Sequence, residues 1–279
     1  MIRRAIAIPL SSAAIFAFAT ALSFFMPAAF ATAADSAESP PIPEAQMPQF
    51  IKAAVAADRP AEDKQLDAGR QPEQMLAFFG IAPGQKVADL FAGGGYTTEL
   101  LSRVVGPTGT VYSQNPPFPE RFKKIGATWQ ARLKNPALKN VVPVQKPFDA
   151  PDLLPVPPDS LDAVTMNMNY HDMVLLKIDR AKVNAAVFKA LRPGGYYDIV
   201  DHSAKDGSGL KDIQLHRIDE KIVIDEIEEA GFKPAGASSA LRHPDDDRTW
   251  NVFKKRGQTD RFMLKFEKIA VTDGIEKQP

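Results

Sequence analysis

The chain has 279 residues, 44% of them apolar and 24% charged, enough to bury the core of one large domain and outside the range of disordered proteins. Its 34 basic side chains balance 34 acidic ones, so charge gives no basis for a nucleic-acid partner or an anionic membrane surface. With no cysteine, it can form neither a disulfide framework, a thiolate zinc site nor a thiol nucleophile, and it cannot be anchored as a lipoprotein.

Arg3 and Arg4 are followed by an apolar stretch from Ala5 to Phe30 and by small residues at Ala29-Phe30-Ala31 and Ala31-Thr32-Ala33, the order of a secretory signal. We expect residues 1–33 to be a cleaved signal peptide, leaving a periplasmic or secreted protein with no stable membrane insertion; an uncleaved anchor is the alternative for so long a stretch. Residues 34–48 read as a Pro/Ala-rich linker with order beginning near Gln49, and residues 49–279 as one domain. Within it, two short helical segments fall at 49–71, ahead of an α/β core at 72–279. On them, Asp67 and Arg70 either face a pocket or pair with each other on a solvated surface.

Pro72 opens a helix carrying Met75, Leu76, Phe78 and Phe79 on one face, and Gly80 closes it. A first strand follows Pro83-Gly84 and breaks at Gly93-Gly94-Gly95 into a helix with Leu100, Leu101 and Val104. Further strands are expected from Gly109 to Tyr112, Val141 to Val144, Ala163 to Met168 and Tyr196 to Val200, with a helix from about Lys177 to Leu191 between the last two. A helix from about Leu215 to Ala230 and two strands, near Trp250–Lys254 and Phe262–Ile269, complete the chain. Alternating strands and helices imply a mostly parallel sheet, and the ending implies an antiparallel edge.

Consecutive glycines leave no Cβ in the way of a small molecule lying on the turn and on the helix N-terminus behind it. A dinucleotide would want a third small residue where Thr98 stands. The run Val87-Ala88-Asp89-Leu90-Phe91-Ala92-Gly93-Gly94-Gly95-Tyr96 resembles the first motif of class I S-adenosylmethionine-dependent methyltransferases. Leu161–Asn167 resembles the fourth strand of that family and Leu191-Arg192-Pro193-Gly194-Gly195-Tyr196-Tyr197 the turn into its fifth, in the family's order. The resemblance implies a Rossmann-like α/β fold with a seven-stranded, mostly parallel sheet, an antiparallel edge and an N-terminal helical extension, residues 49–71, that covers the ligand pocket as a lid. It also implies S-adenosyl-L-methionine as cofactor and a small-molecule substrate; oligomeric state is unreadable.

Ligands of open α/β sheets bind beyond the carboxyl ends of the strands. By the resemblance, Ala92, Gly93, Gly94, Gly95 and Tyr96 offer backbone to the methionine carboxylate and Asp89 meets the ammonium. Asn115 stands where the family places an acid for the ribose hydroxyls; it can accept one bond and donate another but lacks the charge. Phe148 could stack on the adenine and Asp149 accept from its amino group, or the two could be core residue and turn cap. Asn169 belongs to the same cofactor-binding set, and the densest polar and aromatic group, Asn167-Met168-Asn169-Tyr170-His171-Asp172, is expected at the reacting end. There His171 would act as the base beside Asp172, and Tyr170 would shape the opening. Asp201-His202-Ser203 adds a second Asp/His pair that with His171 suggests a metal or a proton relay, but no tight histidine spacing supports a metal and none is expected. Asp245-Asp246-Asp247-Arg248 reads as a solvated loop. Two functions are compatible with this reading: an exported small-molecule methyltransferase, and a non-catalytic exported ligand-binding protein that retains the fold.

Overall fold

The computed structural model describes residues 38–270. The expected signal peptide therefore lies outside the described residues. Three helices come first, α1 (Gln49–Ala56), α2 (Ala61–Arg70) and α3 (Pro72–Phe79). The core then runs β1 (Lys86–Leu90), α4 (Tyr96–Val105), β2 (Thr110–Asn115), α5 (Lys123–Arg132), β3 (Val141–Gln145), β4 (Leu161–Asn167), α6 (Tyr170–Leu175), α7 (Arg180–Ala190) and β5 (Leu191–His202). It ends with α8 (Glu220–Glu229), β6 (Lys233–Ser238) and β7 (Arg261–Glu267).

The seven strands form one sheet in the order β3-β2-β1-β4-β5-β7-β6. β1 to β5 run parallel, while β7 is antiparallel to both β5 and β6. This is the mostly parallel sheet with an antiparallel edge that the sequence implies. Strand order reverses between β1 and β4, which opens a crevice at their carboxyl ends. Side-chain alternation fills both faces. Ala88 and Leu90, Val164 and Met166, and Phe262, Leu264 and Phe266 pack with α7 and α8, whereas Val87, Ala163, Val200 and Met263 pack with α1, α3 and α4. Prolines occur only on the two edge strands of this sheet's ends and at the entry to β5: Pro143 in β3 and Pro234 in β6 need no ladder donor on their outer side.

Several boundaries differ from the sequence reading, each for a local reason. Residues 38–48 are packed, not a free linker: Ser39 pairs with the β6 edge at Ser238, Ile42 exchanges two hydrogen bonds with the Gln74 side chain, and Met47 is buried. The helix expected from about Lys177 begins at Arg180, because Lys177 takes a left-handed φ of 56° and the Asp179 side chain caps α7 by accepting from the Lys182 N–H; a separate short helix, α6, precedes it. The last helix begins at Glu220, not Leu215, since Asp219 caps it. The strand expected near Trp250 is a short 3-10 turn at Val252–Lys254, and the sixth strand is 233–238. Its Lys-Pro-Ala-Gly-Ala-Ser composition carries no strand signal, and edge pairing with β7 makes it one. Asp246 is likewise buried against Arg217 at 2.9 Å and not solvated.

α5, which the sequence reading does not place, lies over the glycine turn. A Cβ on Gly95, whose φ is +87°, would sit 2.7 Å from the Trp129 ring and 2.8 Å from Arg132 Cδ, while one on Gly93 meets nothing closer than 3.9 Å. Gly95→Ala should therefore lower unfolding stability by about 2–4 kcal/mol, combining left-handed strain with overpacking. Gly93→Ala should cost only the strain of about 1–2 kcal/mol, and urea denaturation of both variants checks the difference.

Candidate active site

The turn after β1 begins with a strained residue. Phe91 has φ of +56°, a conformation that costs a β-carbon-bearing residue about 1–2 kcal/mol, and its ring stacks face to face on Phe148. Phe148 is thus packed into the protein core, and Asp149 is exposed without a hydrogen bond among the described residues. Neither is positioned as an adenine contact. Ala92 N–H donates to the Gln114 carbonyl at 3.0 Å. Asn115 does not reach outward: its side-chain oxygen accepts from Gly93 N–H at 2.8 Å and its amide donates to Gly93 O at 3.2 Å. A carboxylate could make only the first of these bonds, so an amide suits the position as it is built.

Asp89 lies beneath the turn, fully buried, accepting from Thr98 Oγ1 at 2.5 Å and Thr165 Oγ1 at 3.4 Å. Burial pushes its carboxyl up to about 7, against the opposing effect of the Thr98 and Thr165 hydrogen bonds. It ties α4 to β1 and β4 and does not face the crevice as an ammonium partner.

Above the turn sits a buried ion network. Arg132 donates to Gly94 O at 2.7 Å and pairs with Glu99 and with Asp63 of α2. Tyr96, the first residue of α4, donates its hydroxyl to Asp67 at 2.7 Å, and Asp67 also pairs with Arg59. Asp67 and Arg70 do not pair with each other; Arg70 lies over the Tyr96 ring, 4.3 Å from its centroid.

Two cavities flank the turn. On the β2/β3 side a cavity of about 280 Å³ is lined by Asn115, Phe118, Trp129, Leu133 and neighbours, with no charged side chain in its wall. On the β4/β5 side a space of about 10 Å³, close to the room for one water, is lined by residues including Arg70, Tyr96, Thr97, Asn167 and Arg261. Neither guanidinium forms an ion pair among the described residues. Burial, reinforced by the Arg70 charge, brings Arg261 down to about 10, and burial lowers Arg70 too. Asn167 Oδ1, also buried, has no hydrogen-bond donor among the described residues. Buried charge and buried acceptors are normally compensated, and here two guanidinium groups and one acceptor border the same small space without such a partner among the described residues. The sequence reading found Arg70 but not Arg261, which stands at the start of β7 with no motif around it.

At the end of β4, Asn169 bonds back to Asn167 O at 2.6 Å and reaches Phe91 O at 3.5 Å. Tyr170 turns away into the core, where its hydroxyl meets Glu226 and Asn184, each at 2.9 Å; burial pushes it far above the ordinary phenol range, and it does not shape an opening. His171 and Asp172 stay at the edge. Asp201, fully buried at the end of β5, accepts from the His171 backbone N–H at 2.8 Å and contacts its Nδ1 at 2.6 Å. His171 Nε2 faces Asp172 Oδ1 at 3.3 Å and His216 Nδ1 at 3.2 Å. His202 stands apart, bonded to Thr259 at 2.9 Å.

Burial opposes charging of His171, but the Asp201 charge and the hydrogen bonds from Asp172 and Asp201 outweigh it and push the imidazole up to about 10. At neutral pH it holds its proton, which suits a positive charge or donor and not the proton acceptor expected from sequence. Asp172 is held below the ordinary carboxylate range despite its burial, by His171 and His216.

No family model matches the chain. The ubiquinone/menaquinone biosynthesis C-methyltransferase UbiE of Cronobacter sakazakii is 30% identical over 125 residues, 44% of this chain and 45% of that protein. The protein of the same name from Photorhabdus laumondii is 25% identical over 198 residues, 70% of this chain and 71% of that one. In the stronger-identity match the chain thus spans less than half of its relative's length. A crystal structure of a SAM-dependent methyltransferase from Aquifex aeolicus superposes with a TM-score of 0.53 at 20% identity, covering 76% of this chain and all of that one. The fold is that of the Rossmann-like methyltransferases. Within that fold, the charged space lies by the strand-order reversal between β1 and β4, and the uncharged cavity lies on the β2/β3 side of the turn that ends β1.

Because the folded pKa of His171 exceeds its unfolded value of about 6.5, its contribution to stability is complete below that value and is lost as pH rises through about 10. Imidazole NMR should find His171 protonated at pH 8, and Asp201→Asn should bring its midpoint down. A native His171 that titrates near the ordinary histidine value would contradict the electrostatics described.

Proposed function

We propose that the chain is an S-adenosyl-L-methionine-dependent methyltransferase for a small-molecule acceptor. The observation that carries this reading is that Arg70 and Arg261, which form no ion pair among the described residues, and Asn167 Oδ1, which has no donor among them, line one space beside the glycine turn. Two guanidinium groups suit a carboxylate and an amide oxygen suits an ammonium. Together they would recognise an α-amino-acid head group once the space between them, which has room for about one water, widens, and the uncharged cavity beside Asn115, Phe118 and Trp129 suits the nucleoside end of the same molecule. The methyltransferase relatives and the shared fold support the choice of cofactor. Such a donor supplies an already activated methyl group, so the protein's part is positioning and exclusion of water. Arg70 and Arg261 would hold the head group, the Gly93–Gly95 backbone would lie against its length, and His171 would present positive charge at the edge where the acceptor enters.

Calorimetric titration with S-adenosyl-L-homocysteine and with 5′-methylthioadenosine, which lacks the amino-acid end, tests this directly. The first should bind and the second should bind at least tenfold to a hundredfold more weakly, the scale of charge-assisted hydrogen bonds worth about 1.5–3 kcal/mol. Arg70→Met should narrow that gap by weakening only the first. Failure of both nucleosides to bind folded protein would leave the second reading, a binding protein that has kept the fold for another ligand. One observation favours that reading: the Asn115 amide is committed to Gly93, so no carboxylate stands there for ribose hydroxyls.

We further propose an envelope location, periplasmic or secreted, supported by the order of Arg3-Arg4, apolar stretch and small residues. Cell fractionation with N-terminal sequencing should find a mature chain starting near Ala34. A cytoplasmic protein retaining its first residues would remove this part of the proposal.

A further inference from the structure

We propose that His171, Asp172 and His216 form a binding site for one divalent transition-metal ion, with Asp201 holding His171 in the ligating orientation. Three of the chain's four histidines gather at this edge of the sheet, and two of them meet a carboxylate. His171 Nε2, Asp172 Oδ1 and His216 Nδ1 make a near-equilateral triangle with sides of 3.2, 3.3 and 3.3 Å. A tetrahedral face with metal–ligand bonds of about 2.0–2.1 Å has edges of about 3.3–3.4 Å. The three atoms therefore already stand where one ion would place them.

The chemistry of each group agrees with the geometry. Asp201 Oδ1, 2.6 Å from His171 Nδ1, holds a proton on that nitrogen, so an ion that displaces the other proton from Nε2 into solvent would meet a lone pair aimed at the other two ligands, the carboxylate–histidine–metal arrangement. A second Asp201 bond, from the His171 backbone N–H at 2.8 Å, fixes the start of α6 as well as the ring. His216 is held from its other side. It takes a left-handed φ of +58°, its ring meets Phe253 edge-on at 4.7 Å, and the next residue, Arg217, is fully buried against Asp246 and Ser203 O. Two imidazole nitrogens and one carboxylate, with no thiolate, suit zinc, iron(II) or manganese(II) rather than the all-oxygen sites of calcium and magnesium. The side chains of Asp172 and His216 are 31% and 27% exposed, so an ion can enter and retain an open position toward solvent. His202 lies outside the set, its ring 5.8 Å from His171 and its Nδ1 engaged by Thr259.

An ion here would stand at the carboxyl ends of β4 and β5, where it could hold an oxygen of the methyl acceptor and lower that oxygen's pKa. This last step rests on the methyltransferase reading; the metal site does not.

The test uses the protein isolated from its cells without chelator or metal-affinity steps. Elemental analysis is followed by stripping and titration with Zn²⁺ by calorimetry and with Co²⁺ by visible absorption. One equivalent of Zn²⁺ should bind, and Co²⁺ should show the visible bands of low-coordinate cobalt. Asp172→Asn, nearly isosteric and half-exposed, and His216→Ala should each weaken Zn²⁺ binding at least a hundredfold; Asp201→Asn should weaken it tenfold to a hundredfold. His243→Ala, which removes the histidine outside the cluster, should leave it unchanged. Absence of saturable Zn²⁺ binding to the folded native protein overturns the proposal, as does equal affinity in the native protein and both ligand variants. S-adenosyl-L-homocysteine is titrated into the same preparation separately, so Zn²⁺ binding without nucleoside binding sinks only the methyltransferase reading, and the reverse sinks only the metal site.

Discussion

Compensation of buried charge governs the carboxyl edge of this sheet. A carboxylate or guanidinium removed from water is tolerated when it is paired, when it changes protonation, or when something else occupies the space beside it. All three solutions stand side by side here. Arg132 is paired, with Glu99 and Asp63. Asp89 moves toward neutrality, its pKa raised to about 7 by burial. Arg70 and Arg261 have no ion-pair partner among the described residues, burial lowers the pKa of each, and they line a small space between β4, β5 and α4. The difference is informative because the three cases share one environment, and under the proposed function a ligand compensates the third.

The N-terminal helices belong to this electrostatic arrangement and do more than cover it. Asp63 and Asp67 on α2 reach Arg132 and Tyr96, one on each side of the glycine turn, and Arg70 on the same helix forms the wall of the charged space. A helix that contributes two carboxylates to closure and one guanidinium to the site couples the two: loss of α2 would uncover Arg132 and Glu99 and remove half of the guanidinium pair together. The Glu38–Met47 segment extends the same surface by covering the β6 edge through Ser39, which would otherwise present unpaired backbone.

The parallel half of the sheet was legible in the sequence because its strands are apolar runs punctuated by Gly and Pro, and because Pro72, Gly80 and the three glycines are local signals. The rest depended on partners distant in the chain. β6 is a strand only because β7 lies beside it. α5 buries just Trp129 and Arg132 along its length, too few positions for an apolar period to show. At the site, the glycine turn, Asn115, His171 and Asp172 were visible, but their partners were not. His216 was hidden by reading 215–230 as one helix, when Asp219 caps a later start and the preceding residues return to β5 through Ile218. Arg261 lies in a strand start that carries no motif. Roles were harder still: Asn115, Phe148 and Tyr170 have the residue types of ligand contacts, yet backbone, Phe91 and Glu226 respectively take up their contacts.

Those substitutions of partner have a joint consequence for how the crevice is divided. Phe91 accepts left-handed strain where a glycine would be free of it, and stacking on Phe148 offsets that cost while closing the ground beneath the end of β3. The aromatic surface available to a ligand is thereby left to Phe118, in the loop after β2, and Trp129, on α5. Trp129 is carried by the same helix whose Arg132 donates to Gly94 O. The neutral end of the crevice and the glycine turn are consequently a single rigid construction, whereas the charged end is assembled from α2, β4 and β7. A ligand that spanned both would touch the N-terminal helices and the sheet at once, so under the proposed function its binding at the charged end would add to the contacts that already hold α2 in place through Asp63 and Asp67.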